Sequence, residues 1–457
     1  MNILILSIGT LAGMVFGMGI LTLVVVKYGF HHWGMPKSKF LELFLAAQKL
    51  GWRGIFETWQ RAMSGRIPDR PYGRIRAVFD WDKIQFNPVY LSRTLSHPGG
   101  EIDTSVILGP RSPRPLKLQI PIITAAMAYG SGYSLAAKVA LAKASAMAGT
   151  SANTGNGAFL KEERKYAGKL IIQYVRGFWS KDPSILQQAD MIEIALGHSA
   201  RCAAPVRIQG RKLVPEVAAR YGAIPGLDIL MEARLPEVET HNDFITLVRY
   251  LKELTGGVPI SVKFGASHYL EREMEIFIEG GVDVLVFDGL EGGTHGGVPL
   301  IMDDMGLPVF PALCRAAHFL EKSGLRNQVS LVVGGGLIKP GDFAKCLALG
   351  ADAVIVGTIT ALVQTHSQVT KTLPLEPPTG ILYNDGKEKD KYDFNLGAKH
   401  LANFYQSCVQ EMQMVARIAG KPSLRELDKN DLVALDPVHA TIAGIKYLSL
   451  PGFGDLT

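Results

Sequence analysis

A chain of 457 residues with 47% apolar content is long enough for one large α/β barrel with appendages, or for two or three ordinary domains, and it is not a disordered protein. The formal net charge of +6 comes with no recognition helix and no aromatic stacking module, so nucleic acid is not expected as a partner. Cys202, Cys314, Cys346 and Cys408 lie far apart with no C-x-x-C pair, which argues against a disulfide framework, a zinc site or a cysteine-ligated cluster; no metal is expected, and a reducing compartment suits the globular part.

From Ile3 to Val26 there is no charged residue. As a helix this run spans about 36 Å, enough to cross a hydrocarbon core of about 30 Å, so residues 1–30 read as a transmembrane anchor. A cleavable signal peptide is the competing reading, but a positive n-region and a clear A-x-A site are missing. Lys27, Lys37, Lys39 and Arg53 follow the span, and the positive-inside rule then makes this a single-pass membrane protein with its catalytic body in the cytoplasm. Residues 31–118 read as a juxtamembrane helix and an extended arm. Phe40–Ala62 has helical spacing, with Trp52 and Trp59 suited to a membrane interface or to the wall of a barrel. Arg61, Arg66, Arg70, Arg74 and Arg76 form a basic cluster that suits anionic lipid headgroups or a solvated arm folded onto the body.

From Ile120 short apolar runs alternate with amphipathic helices. The strands expected are Ile120–Ala126, Gly149–Ala152, Leu170–Tyr174, Met191–Ala195, Ile260–Phe264, Val284–Phe287, Val329–Val333 and Ala353–Val356; helices are expected over Leu135–Ala148, Asp243–Leu254, Leu270–Glu279, Pro311–Ser323 and Gly341–Leu349. Eight such units over roughly 240 residues suit a closed barrel. The fold class expected is α/β, a (β/α)8 TIM barrel over residues 119–370, with the N-terminal transmembrane helix and a C-terminal helical extension. A doubly wound sheet loses ground because no G-x-G-x-x-G follows an early strand and no G-x-x-x-x-G-K-[ST] occurs. The polar insert Gly197–Thr240 lies where barrel loops roof an active site. Residues 371–457 read as a polar linker, Lys371–Asn395, and a helical extension that includes Leu396–Ile418.

Three glycine clusters follow strands: DVLVFDGLEGGTHGG (Asp283–Gly297), VVGGGL (Val332–Leu337) and ADAVIVGT (Ala351–Thr358). Gly334, Gly335 and Gly336 end the seventh strand and Gly357 and Thr358 the eighth, at the loops where such barrels bind phosphate; backbone N–H groups there form a nest, and tight turns alone are the bland alternative. Lys263 stands in an apolar strand near its C-terminal end, where it serves either a flavin pyrimidine edge or a structural salt bridge. Gln173 and Asn153 end the third and second strands with amides suited to a heterocycle edge, and Met127 and Ala128 follow the first strand where a flat ring can lie. Glu291 and His295, after the sixth strand, are the titratable candidates for proton transfer, or they simply hold the loop. Cys202 has no basic partner arrangement and reads as inert.

At these residues the chain resembles the FMN-binding synthase domain of glutamate synthase, especially its stand-alone relatives. The similar segments are IDTSVILG, PIITAAMAYG, GTSANTGNGAF, LIIQYVRG, DMIEIALGHSA, PISVKFGAS, FDGLEGGTHGG, LVVGGGLIKPGDFAKCLALGADAVIVGT and SLRELDKNDLV, in order over roughly Asp103–Leu432. The resemblance implies an FMN-containing barrel that passes two electrons to a small amino or keto acid, with glutamate formation from 2-oxoglutarate as the best-known case. It places flavin contacts at Met127, Ala128, Asn153, Gln173, Lys263, Asp288, Gly289, Gly292, Gly293, Gly335, Gly336, Gly357 and Thr358, and it implies a separate electron-donor or ammonia-supplying subunit.

The departures are specific. Where the family carries cysteines for a 3Fe–4S cluster after the eighth strand, this chain reads LVQTHSQVTKTLPLEPPTGILYND, which excludes an electron route through such a cluster. No amidotransferase domain is expected within the chain. The family's S-N-T-G-E-G-G has Asn156 in place of the acid, and Arg176 is displaced from the position of the family's substrate arginine; Arg201, Arg207 and Arg211 of the insert either replace that anion site or decorate a surface loop. Two rivals stand beside this reading. One is a nucleotide-binding barrel like inosine-monophosphate dehydrogenase, whose cysteine nucleophile FDGLEGGTHGG lacks; the other is a non-catalytic flavin-binding membrane scaffold.

Overall fold

The structure, a computed structural model, describes residues 37–68, 70, 73–74, 78–91, 100–294, 297–372 and 378–448, and divides into two units, Met1–Pro68 and Asp69–Thr457. In the first unit, helix α1 (Lys37–Ser64) is interrupted at Gly51, whose φ of 70° and ψ of 149° are not helical. Trp52, Phe56 and Trp59 then fall on one face at spacings of four and three, so Trp52 stacks on Phe56 at 6.3 Å and Phe56 meets Trp59 edge-on at 5.6 Å. All three rings are exposed.

The expectation of a single-pass membrane protein with its body in the cytoplasm is corrected: among the described residues no helix is long and apolar enough to cross a membrane. The long helices carry charges such as Lys49, Arg53 and Glu57 on α1, so their apolar residues form a stripe and not a sleeve. The expected anchor itself, residues 1–30, lies outside the described residues.

In the second unit the arm contributes β1 (Ile84–Phe86) and a hairpin, β2 (Val106–Leu108) paired antiparallel with β3 (Leu116–Leu118). The barrel follows as β4 (Ile122–Thr124), α2 (Leu135–Met147), β5 (Ser151–Asn153), α3 (Lys161–Tyr166), β6 (Lys169–Tyr174), α4 (Pro183–Leu186) and β7 (Met191–Ala195). An insert holds the hairpin of β8 (Val206–Ile208) with β9 (Ile229–Met231) and, between them, α5 (Pro215–Tyr221). The second half is α6 (His241–Leu254), β10 (Ile260–Gly265), α7 (Leu270–Glu279), β11 (Val284–Asp288), α8 (Pro299–Asp304), α9 (Val309–Lys322), β12 (Ser330–Gly334), α10 (Pro340–Ala348), β13 (Ala353–Val356) and α11 (Thr358–Thr365).

All eight expected strands are present within a residue or two of their expected bounds, and they form one parallel sheet in the order β4-β13-β12-β11-β10-β7-β6-β5. Burial on both faces explains their near-continuous apolar character. Ile172, Ile194, Val262, Leu285 and Val333 pack outward with the helices, whereas Ile171, Met191, Val284, Val286, Val332 and Ile355 face inward. The inward set shares its core with Val106, Leu108, Leu116 and Leu118, so the β2–β3 hairpin stoppers the N-terminal end of the barrel. Mostly apolar filling therefore continues from the closed end upward, and charged side chains have only the C-terminal end left to them.

Two further pieces frame that end. Helix α5 and the β8–β9 hairpin pack with Tyr129, Leu160 and Trp179 in an apolar cluster of their own, which seats the insert on the loops after β4, β5 and β6. In the arm, Arg70 pairs with Asp303 at 2.7 Å and exchanges backbone hydrogen bonds with Gly297, while Arg74 donates to the Asp303 carbonyl. These two arginines thus fold onto the loop after β11; Arg61 and Arg66 belong to the first unit, and Arg76 lies outside the described residues. The C-terminal helix α12 (Phe394–Ile418) packs on α2 and α11, and Tyr405 bonds the Thr124 hydroxyl of β4 at 2.8 Å.

No ladder joins β4 to β5. The seam closes through Gln119 N–H to the Gly149 carbonyl at 2.8 Å, Thr150 Oγ1 to the Ile122 carbonyl at 2.6 Å and, above all, Lys138 of α2. Its fully buried Nζ donates to the carbonyls of Met127 (2.6 Å), Asn153 (2.7 Å) and Thr154 (3.2 Å) and pairs with Glu163 of α3 at 2.8 Å. Burial pushes the lysine pKa down and that of Glu163 up, the ordinary cost of taking an ion pair out of water. Lys138→Met leaves that carboxylate uncompensated and should cost about 3–5 kcal/mol of stability in urea unfolding. The double variant Lys138→Met with Glu163→Leu should be less destabilised than Lys138→Met alone; equal or greater loss would deny the pair its role.

Candidate functional site

Where apolar layers end, the inward positions of five neighbouring strands become Asn153, Gln173, Glu193, Lys263 and Asp288, each at or near the C-terminal end of its strand. Alternation along each strand puts them there: Lys263 lies two residues beyond inward Ser261, and Asp288 two beyond Val286. Glu193 is fully buried, and its Oε1 accepts from Asn153 Nδ2 at 3.0 Å and Gln173 Nε2 at 2.8 Å. Lys263 Nζ faces Asp288 Oδ2 at 3.4 Å. Burial opposes the lysine charge, but the carboxylates of Asp288 and Glu193 outweigh it, so the pKa lies above the ordinary lysine value and the group remains an ammonium.

The glycine loops pack against one another beside this ring. Gly335, at φ +116°, leaves room for Gly289, whose N–H a Cβ there would meet at 2.7 Å; Gly336, at φ +69°, clears the Glu291 side chain in the same way. Gly289 N–H donates to the Gly334 carbonyl at 2.8 Å. The loops after the sixth and seventh strands are therefore one clasped unit. On the far side Gly357 precedes the first turn of α11 and approaches the Met127 side chain, joining the eighth loop to the first.

The insert contributes residues that the sequence pattern did not single out. Leu196 and Gly197 N–H both donate to the Lys263 carbonyl, at 3.0 and 3.2 Å, which stitches the next turn over the end of β10. That turn places His198 half-buried at the mouth, with neither ring nitrogen hydrogen-bonded among the described residues. Burial lowers its pKa from 6.5 to about 4; Asp288 resists the shift, while Lys263, Arg201 and Arg176 add to it. Arg176 ties the insert down through one end of its fork: its Nη1 donates to the carbonyls of Ala203, Ala204 and Glu232. Arg207 is paired with Asp228 and Arg211 donates to Gln209, both on the exposed side of the insert.

Of the expected site residues, the structure brings together Asn153, Gln173, Lys263 and Asp288 in the ring, Gly289, Gly334, Gly335 and Gly336 in the clasped loops, and Met127, Gly357 and Thr358 at the seam between the eighth and first loops. Ala128 accepts from Tyr133 N–H, and Gly292 lies buried against Ser199 with Gly293 exposed beside it. Glu291 takes a different place: its Oε2 accepts the Val309 N–H at 2.9 Å, at the first turn of α9, and burial raises its pKa above the usual carboxyl range. His295 lies outside the described residues. Glu193 and His198 were not among the candidates; the signal for Glu193 is an acid in an otherwise apolar strand, MIEIA, the same signal that marks Lys263.

Three features fit a flat, polar, phosphorylated cofactor. Glu193 Oε2 and Ser199 Oγ are buried atoms with no hydrogen-bond partner among the described residues, as expected of groups that face a polar ligand edge. The glycines of the last two loops leave backbone N–H groups uncovered by Cβ atoms. Lys263 supplies a fixed positive charge between them and the mouth.

The conserved region in glutamate synthase matches residues 99–422. A glutamate synthase large subunit-like protein of Rhizobium meliloti is 31% identical over 411 residues, 86% of this chain and 92% of that protein. An archaeal glutamate synthase [NADPH] of Archaeoglobus fulgidus is 30% identical over 72% of this chain, which spans 66% of that protein's length. Among solved structures, a flavocytochrome b2 variant with sulfite bound superposes with a TM-score of 0.50 at 16% identity, covering 81% of this chain and 80% of that one. An oxidized active mutant of (S)-mandelate dehydrogenase gives 0.50 at 16% identity over 77% and 88%. At such identity these two likenesses speak to the fold alone.

The His198 geometry makes a pH prediction. Its folded pKa lies below the unfolded value, so between pH 6.5 and about 4 the unfolded chain binds the extra proton and stability falls as the pH falls through that window. His198→Gln should flatten that part of the profile of urea midpoint against pH; an unchanged slope would place the imidazole in water.

Proposed function

Because the chain belongs to the glutamate synthase family, FMN-dependent oxidoreductases acting on an amino acid, we propose that it interconverts a 2-oxo or imino acid and the corresponding amino acid with electrons from a separate donor. The observation that carries this reading is the ammonium of Lys263, buried in the barrel mouth between Asp288 and Glu193. Asp288 and Glu193 keep this group charged, so a fixed positive charge stands at the end of β10 in reach of an electron-rich ring edge.

FMN, when bound, supplies the two-electron chemistry that no side chain of the ring has. In our reading Met127, Ala128, Asn153, Gln173, Lys263, Asp288, Gly289, Gly292 and Gly293 surround the ring system, and Gly334, Gly335, Gly336, Gly357 and Thr358 hold its phosphate. Lys263 favours the reduced, anionic ring through its charge. Arg201 and Arg176, close enough to His198 for both charges to lower its pKa, are the guanidinium groups we assign to the substrate carboxylate. His198, neutral near pH 7, can donate and accept at once and so is suited to move a proton at the substrate nitrogen or oxygen. Glu291 and His295 remain proposed proton-transfer groups; for Glu291 the Val309 hydrogen bond must be given up or shared. The family match does not favour the nucleotide-barrel and scaffold alternatives.

Mass spectrometry of the ligand released from the purified chain should identify FMN. The chemically reduced protein should be reoxidised by a 2-oxo acid with ammonium, with the matching amino acid as product; reoxidation by none of a panel of such pairs would refute the substrate class. Lys263→Met should lower the FMN reduction potential by roughly 30 mV or more, which for a two-electron couple corresponds to about 1.4 kcal/mol. An unchanged potential in a redox titration would remove Lys263 from the ring edge.

A further inference from the structure

The two amides of the mouth ring differ in what they have left to offer. Asn153 is used up at both ends: Nδ2 donates to Glu193 Oε1 at 3.0 Å, and Oδ1 accepts the Gly155 N–H at 2.9 Å. Gln173 donates Nε2 to the same Glu193 oxygen at 2.8 Å, and its Oε1 has no donor among the described residues. Amide oxygen and nitrogen are told apart by the network around them. Here the network is one-sided, because the Glu193 Oε1 that both amides reach is an acceptor, and the reversed Gln173 would set carbonyl against carboxylate oxygen. Glu193 is fully buried, so water cannot relieve that contact.

From this geometry we infer that Glu193 is a positioning residue that presents the carbonyl oxygen of Gln173, and not its amide nitrogen, to the N3–H of the flavin; the inference rests on the flavin reading above and deepens it. The pyrimidine edge of an isoalloxazine alternates carbonyl, N–H and carbonyl. Lys263, a donor only, suits an acceptor position on that edge, and an acceptor is then required for N3–H. A glutamine free to turn over serves either position and selects neither. Held by Glu193, it selects a ring with a donor between two carbonyls, and Lys263 on β10 and Gln173 on β6 flank Glu193 on β7 with opposite polarity.

The test is the alkaline ionisation of N3–H in the FMN-loaded full chain, followed by absorbance, in wild type, Glu193→Leu, Glu193→Gln and Gln173→Leu. Glu193→Leu and Glu193→Gln remove the same charge, but only the second keeps an acceptor for the two amides. Glu193→Leu should therefore lower the N3 pKa below that of Glu193→Gln by about one unit, the size of one hydrogen bond. Equal shifts in the two would mean that charge alone acts, and would overturn the inference. Gln173→Leu, which retains Glu193, should also lower the N3 pKa relative to wild type, and it decides the matter if Glu193→Leu fails to fold; a raised or unchanged value would overturn the inference. A wild-type chain that takes up no FMN would overturn the flavin reading itself, whereas FMN uptake with equal shifts in the two Glu193 variants overturns only this step.

Discussion

A buried ammonium is the main closure of the one seam of this barrel, β4 to β5, where no backbone ladder forms among the described residues. Between β4 and β5 the ladder is absent, and Lys138 Nζ instead gathers the carbonyls of Met127, Asn153 and Thr154 while Glu163 balances its charge. Those carbonyls open the loops after the first and second strands, so closure of the sheet and placement of two ligand-facing loops are the same event. A lysine serves where an apolar residue cannot, because four acceptors buried away from water require donors.

The polarity of the barrel follows from which end is stoppered. The β2–β3 hairpin fills the N-terminal end with Val106, Leu108, Leu116 and Leu118, and the inward layers above it hold apolar side chains and small hydroxyls such as that of Ser261. Charges can be accommodated only where the last layer meets the mouth, and there they are mutually dependent: Glu193 orders two amides, and with Asp288 it keeps Lys263 ionised. The insert and the arm close over this layer from two sides. Arg176 fastens the insert by its carbonyls, and Arg70 and Arg74 fasten the arm to the loop before α9.

This arrangement suits chemistry in which a bound redox group, and not a side chain, carries electrons. The side chains of the mouth supply fixed charge, directed hydrogen bonds and one neutral imidazole; Cys202 is left with a pKa raised by burial and a weak contact to the Ser199 carbonyl. The backbone carbonyl of Asn156 accepts the Trp179 indole N–H at 3.1 Å, which ties the loop after β5 to the loop after β6.

The eight strands were legible because a strand buried on both faces is written as an apolar run, and Gly335, Gly336 and Lys263 stood out because each breaks the local rule for such a run. The stoppering hairpin was not legible: Val106–Leu108 and Leu116–Leu118 are too short to show a period, and they become strands only against the barrel interior. Charge-free spacing at Ile3–Val26 suggested a membrane span, and no helix of the described residues bears one out. The role of Glu291 was likewise beyond reach, because a carboxyl in a loop reads the same whether it faces a ligand or the N–H of Val309. By itself the sequence determined the order of strands, the glycine loops and the family, since these are set by local composition along the chain. The tertiary structure alone decided that Lys138 seals the seam, that Arg176 fastens the insert and that Glu193 bonds Gln173, since each depends on groups far apart in the chain meeting in space.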